Sequence, residues 1–239
     1  LSSLYAERSA ERDRQARELF FRGLDKLLFI TAGLGVGFWL LAEPLLAGLY
    51  GASFTPAATT LRIFVLAALA ANVVNPYTFV LQAQDEVARF VPLNLARLAL
   101  YLIWLAVLVP EPSALGVAWL PAGDAGAAAA RLLLIVVLSW VYVGWTRELA
   151  GIPFYRPALL YVAALAAGVV AGGLAGALAA RAGAPAPAGH AVAAGAGLAA
   201  YLGVLLAVHP RTRQNLRDAR ALLSVREFRA LVRGGFRPG

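Results

Sequence analysis

Six apolar runs, at residues 27–46, 61–81, 87–109, 126–145, 157–180 and 189–208, limit this chain to very few folds. A helix rises about 1.5 Å per residue, so a run of about 20 apolar residues crosses the hydrocarbon core of a bilayer. All six runs meet that length, and the chain reads as an all-α, polytopic helical membrane protein with six transmembrane helices. Composition agrees: 61% of the residues are hydrophobic and 14% charged, too little charge to solvate a soluble domain of this size. The last two runs are rich in Ala and Gly, as in "AALAAGVVAGGLAGALAA". Small residues let helix backbones approach closely, so these two spans are expected to pack tightly.

Arginine sets the expected orientation. The net charge of +8 comes from 20 Arg and one Lys against 13 acids. Six of these cations precede the first span and eight follow the sixth; Arg89 follows span two, and Arg147 and Arg156 follow span four. The opposite links hold Arg181, while Arg62 and Arg131 lie just inside spans. This bias places both termini in the cytoplasm, and six spans satisfy the same parity. Beside a membrane the basic ends suit anionic inner-leaflet lipid, and a nucleic-acid partner is not expected. The organisation is then a cytoplasmic interfacial segment at 1–26, a six-span bundle at 27–208 and a basic cytoplasmic tail at 209–239. Cysteine is absent, which excludes a disulfide framework and a cysteine-built zinc or redox site. Methionine is absent too, even at position 1, and the first residues lack the basic-then-apolar order of a signal peptide. The chain is expected to lack an N-terminal part.

Three links carry expectations of their own. In "LLAEPLLAGLYGASFTPAATTLRIF", residues 40–64, span one should leave the membrane near Glu43-Pro44 and "LLAGLYG" should lie along the outer interface. Thr55-Pro56 should start the return helix, with Arg62 snorkelling to outer headgroups. Around residues 113–125, Pro121, Gly123 and Asp124 interrupt an apolar stretch: either a surface helix precedes span four or span four is kinked at Pro121. In the tail, Ser224 and Glu227 form a capping-box pattern. Two short basic helices on the inner leaflet, with Leu222, Val225, Phe228 and Val232 toward lipid, are one reading, and a solvated tail is the other.

"LSSLYAERSAERD", "LLAEPLLAGLYGASFTPAATTLRIFVLAAL" and "NLARLALYLIWLAVLVPEPSALGVAW" resemble, in order and spacing, polysaccharide flippases of the multidrug/oligosaccharidyl-lipid/polysaccharide exporter superfamily. The resemblance covers roughly residues 1–145; beyond 157 it is carried by two further spans and a basic tail. The interruption before span four departs from the family's pattern. The resemblance implies the C-terminal bundle of a two-bundle flippase in a bacterial or archaeal cytoplasmic membrane. It further implies export of undecaprenyl-diphosphate-linked oligosaccharide by alternating access, with the pathway between the bundles, no enzymatic step and no cofactor. The missing N-terminal bundle would be a partner. A drug or cation exporter of the same superfamily, and a membrane enzyme acting on lipid-linked sugars, are the alternatives. The acids of the outer loops, Glu43, Glu111 and Asp124, are too scattered to favour the enzyme.

Polar residues inside the spans are the candidate site. Asn72, Asn75, Phe79 and Gln82 recur at helical steps in span two, as do Asn94, Arg97, Tyr101 and Trp104 in span three. Arg131, Ser139 and Tyr142 roughly share a face of span four. One reading is a cationic cavity for a diphosphate and sugars, built from Arg97, Asn94, Tyr101, Asn72, Asn75, Gln82 and Arg131. The other is helix-packing glue from the amides and Ser139, with interfacial aromatics. Intramembrane charge is costly, so Arg97 falls on the functional side. No acid lies mid-span: Asp25 and Glu43 are at edges, and a buried proton carrier is not expected here. His190 and His209 lie at span ends, where an interfacial imidazole is expected, and no metal site is visible.

Overall fold

A computed structural model of the chain describes residues 2–82, 87–109 and 123–222. The described residues contain no strand. Their helices are α1 (Ser2–Leu40), α2 (Ala42–Tyr50), a 3₁₀ turn (Ala52–Ala57), α3 (Ala58–Gln82), α4 (Val87–Leu108), α5 (Gly123–Ala150), α6 (Ala158–Arg181), α7 (Ala186–Val208) and α8 (Thr212–Leu222). Among the described residues, six stretches are long and apolar enough to cross a membrane: Arg14–Leu40, Ala52–Gln82, Val91–Leu108, Asp124–Leu149, Ala158–Arg181 and Ala186–Val208. The chain is a multi-pass helical membrane protein.

Helix α1 runs without a break through residues 26 and 27, where an interfacial segment was expected to give way to the first span. Pairs four residues apart support its polar start: Gln15 donates to Glu11 at 3.1 Å, and Arg22 pairs with Glu18 at 2.6 Å. The helix ends at Leu40, earlier than expected, and the break falls at Leu41. Pro44 therefore does not end a helix. It sits in the first turn of α2, where its missing N–H has no helical partner to lose. Arg62, expected to reach for headgroups, closes over this break. Its Nη2 lies 2.9 Å from Glu43 Oε1, and its Nε donates to the Trp39 carbonyl at 3.3 Å. Leu49, Tyr50 and Phe54 remain exposed along the link. The surface helix or kink considered for residues 113–125 falls almost wholly outside the described residues, and α5 begins at Gly123. The capping box at Ser224 and Glu227 lies outside them as well.

Helix α1 is the hub. It packs against α3 on one side and against α6 and α7 on the other; α5 lies on α3, and α4 packs on α5 at the edge. The α6–α7 hairpin turns at Gly183, whose φ of 77° admits the bond from the Ala184 N–H to the Ala179 carbonyl at 3.0 Å. Behind that turn the two backbones nearly touch. A Cβ on Gly168 would stand 2.8 Å from the Gly197 carbonyl oxygen, and one on Gly172 2.6 Å from that of Ala193. The small residues expected to allow close packing do so, and Val36 and Leu40 of α1 reach into the notch they leave. Leu28, Ala32, Val36, Tyr161, Ala164 and Leu205 form the buried centre of this half.

Candidate functional site

Helices α3, α4 and α5 enclose the cleft that brings most of the expected residues together. Each helix contributes one stripe at steps of three and four: Asn75, Thr78 and Gln82 from α3, Asn94 and Arg97 from α4, and Arg131, Ile135, Leu138 and Tyr142 from α5. The space measures about 310 Å³. It adjoins a second hollow of about 420 Å³ that shares Asn94, Arg97 and Arg131 and adds Tyr101. Buried Val74, Leu138 and Tyr142 form its wall toward the bundle interior. Pro76 in α3 and Pro92 in α4 each remove one helical hydrogen bond near the cleft.

Electrostatically the cleft is one-sided. It presents two guanidinium groups, no acid among the described residues lines it, and its side-chain amides face the same space. Asn75, Gln82, Asn94, Arg97 and Arg131 form no side-chain hydrogen bond or ion pair with another described residue. Arg97 stands ten residues into α4, roughly 15 Å along a helix whose length matches the bilayer core. The arrangement can bind an anion bearing several oxygen acceptors, with planar arginine forks for the charge and amides for hydroxyl or ether oxygens.

Asn72 is not part of it. Its amide donates to Thr31 Oγ1 at 2.9 Å and ties α3 to α1. With about 100° per residue, Asn75 and Gln82 lie about 20° apart around the helix, whereas Asn72 lies about 60° away from Asn75. The two readings of the amide face thus divide between its members. Phe79 points outward and is 65% exposed. Trp104 has a buried Nε1 without a partner and is not among the lining residues. Ser139 bonds back to the Val136 carbonyl at 2.5 Å.

A second polar cluster was not legible in the sequence. Asp25, placed at the edge of span one, is only 1% exposed. Its Oδ1 accepts from the hydroxyls of Tyr155 (2.5 Å) and Tyr161 (2.8 Å), and its Oδ2 accepts from the Asn215 amide at 2.7 Å. His209, at the end of α7, is buried within the protein, with Nε2 3.1 Å from Asp25 Oδ1 and Nδ1 enclosed without a partner. One carboxylate thereby joins α1, the link before α6, α6, the end of α7 and α8. Tyr77 of α3 extends the cluster: it donates to the Pro153 carbonyl at 3.2 Å and accepts the Tyr155 N–H at 2.9 Å. Burial, then the hydrogen bond to Asp25 and its charge, push the Tyr155 hydroxyl well above the usual tyrosine range. Tyr155, Tyr161 and Asn215 lie 130, 136 and 190 positions from Asp25 along the chain, beyond the reach of any local pattern. The only signal was an acid set between leucines at 24 and 27.

Among the described residues no group of three or more His, Asp or Glu could hold a metal ion. Compared with protein-family models, curated proteins and solved structures, the chain matches none.

Proposed function

We propose that these six spans form one bundle of a flippase that moves a diphosphate-linked oligosaccharide lipid across a bacterial or archaeal cytoplasmic membrane. The motifs that resemble polysaccharide flippases motivate the reading. The observation that carries it is the convergence of Arg97 and Arg131 on one cleft with Asn75, Asn94, Tyr101 and Gln82. Guanidinium groups inside spans without a counter-ion among the described residues are costly, and for Arg97, near mid-helix, even lenient insertion scales put the cost at about 2.5 kcal/mol or more. A diphosphate in a wetted pathway offsets that cost, and the amides are suited to sugar hydroxyls. A cationic drug meets the wrong sign of charge. The second bundle would complete the pathway, which in such transporters runs between repeats near the midplane.

In the full-length protein, Arg97→Ala is expected to insert at normal levels and lose most export of surface polysaccharide in a strain lacking its own flippase. Arg97→Lys, a point charge in place of a fork, should retain part of it. Normal export by well-expressed Arg97→Ala would overturn the substrate role. The orientation, with both termini cytoplasmic, is checked by single cysteines at the exposed positions Ser53, Arg147 and Arg213 and an impermeant label on intact cells. Label is expected at Ser53 alone; the reverse pattern overturns the topology.

A further inference from the structure

Outside the cleft and the Asp25 cluster, one surface hollow combines an apolar floor with unpaired charge. It measures about 390 Å³ and is lined by Trp140, Val143, Gly144 and Arg147 of α5 and by Pro153, Phe154 and Arg156 of the link to α6. Trp140, Gly144 and Arg147 follow one another at steps of four and three, so they form a single stripe along the helix. Trp140 lies about 10 Å deeper than Arg147, seven residues at 1.5 Å each. Its ring is 79% exposed, and a Cβ on Gly144 would meet nothing within 4 Å, so the stripe is an open trough. At its end stand two exposed arginines whose side chains make no hydrogen bond or ion pair with another described residue. Glu148, the nearest acid in sequence, is not among the lining residues.

We propose that this trough is a binding site for an anionic phospholipid. Arg147 and Arg156 hold the headgroup phosphate, and one acyl chain lies along Gly144 and Val143 against the Trp140 ring. Position and charge select the occupant together. Trp140 and Val143 sit within a membrane-spanning stretch, where the covering medium is hydrocarbon, while the arginines sit at its end, at the depth of phosphates. Two guanidinium groups with no carboxylate among the described lining residues favour a headgroup of net negative charge over a zwitterionic one, whose own cation would meet them. The assignment does not rest on the flippase reading; it requires only that the link between α5 and α6 lies at a membrane surface.

The test is native mass spectrometry of the full chain released from detergent, titrated with phosphatidylglycerol or with phosphatidylcholine of the same acyl chains. The wild type is expected to retain one phosphatidylglycerol per chain and to retain phosphatidylcholine poorly. Arg147→Ala with Arg156→Ala should weaken retention about twenty-fivefold, since each basic residue near an anionic lipid contributes on the order of fivefold. Gly144→Leu should also release the lipid, although it leaves both charges in place and adds a side chain only to open space. Gly173→Leu on α6, another glycine whose Cβ meets nothing, should retain it unchanged and controls for surface leucine. Equal retention of the two lipids, or unchanged retention by either trough variant, overturns the proposal. Displacement of the lipid by inorganic phosphate alone would also overturn it, in favour of a soluble-anion site. No retention by the wild type would mean that something other than lipid, such as a second polypeptide, covers the trough.

Discussion

The half built from α1, α6 and α7 and the half built from α3, α4 and α5 use polar groups inside apolar helices in opposite ways. In the first, Asp25 meets two tyrosine hydroxyls, an imidazole and an amide, and the Tyr201 hydroxyl donates to the Phe29 carbonyl at 2.6 Å. These groups are bonded to one another, with only His209 Nδ1 left over among those named, and glycine-to-carbonyl contacts leave no space between the backbones. In the second, two arginines and three amides face an open cleft and bond to no other described residue. The contrast separates polar groups that hold a fold together from polar groups that await something else. Buried polar groups with partners are costly to disrupt, while an unpaired charge inside a span is itself a cost that a ligand or water offsets.

The strongest way to break this contrast is Asp25→Ala. It leaves two buried hydroxyls, an amide and His209 without their acceptor, and each buried polar group left unsatisfied costs about 1–3 kcal/mol. Thermal unfolding in detergent should show a large drop. Asp25→Asn should lose less, because its oxygen still accepts from Tyr155 and Tyr161. A wild-type melt for Asp25→Ala would mean that the cluster does not clamp these helices.

Next in size is Gly168→Leu. Its Cβ would stand 2.8 Å from the Gly197 carbonyl oxygen, a backbone atom that cannot swing aside. Overpacking of this kind costs about 1–3 kcal/mol, so the melting temperature should fall while Gly173→Leu stays close to wild type. Equal behaviour of the two variants would refute the close approach.

The smallest effect sharpens the boundary between the halves. Asn72→Leu removes the bond to Thr31, and interhelical hydrogen bonds in membranes average about 0.6 kcal/mol, so a slight loss of stability is expected. Asn75→Leu, three positions away, should leave stability unchanged or raise it while impairing transport in the full-length protein. The same phenotype for both would erase the distinction between glue and cleft.

The sequence alone determined what depends on neighbours along one helix. Span number follows from run length, because a bilayer has one thickness. The close packing of α6 and α7 was legible in their Gly and Ala content, and the cleft stripes in steps of three and four, because helical periodicity is local. Even so, the steps were too coarse to separate Asn72 from Asn75, since a shift of about 60° is decided by where α1 and α5 stand. Only the tertiary structure moved the helix break from Pro44 to Leu41 and set Arg62 over it, because a proline in a first turn disrupts nothing. Only it enclosed Asp25 and His209. Burial is a property of what surrounds a residue, and the groups that surround Asp25 come from segments 130 to 190 residues further along the chain, brought to one point by the packing of six spans.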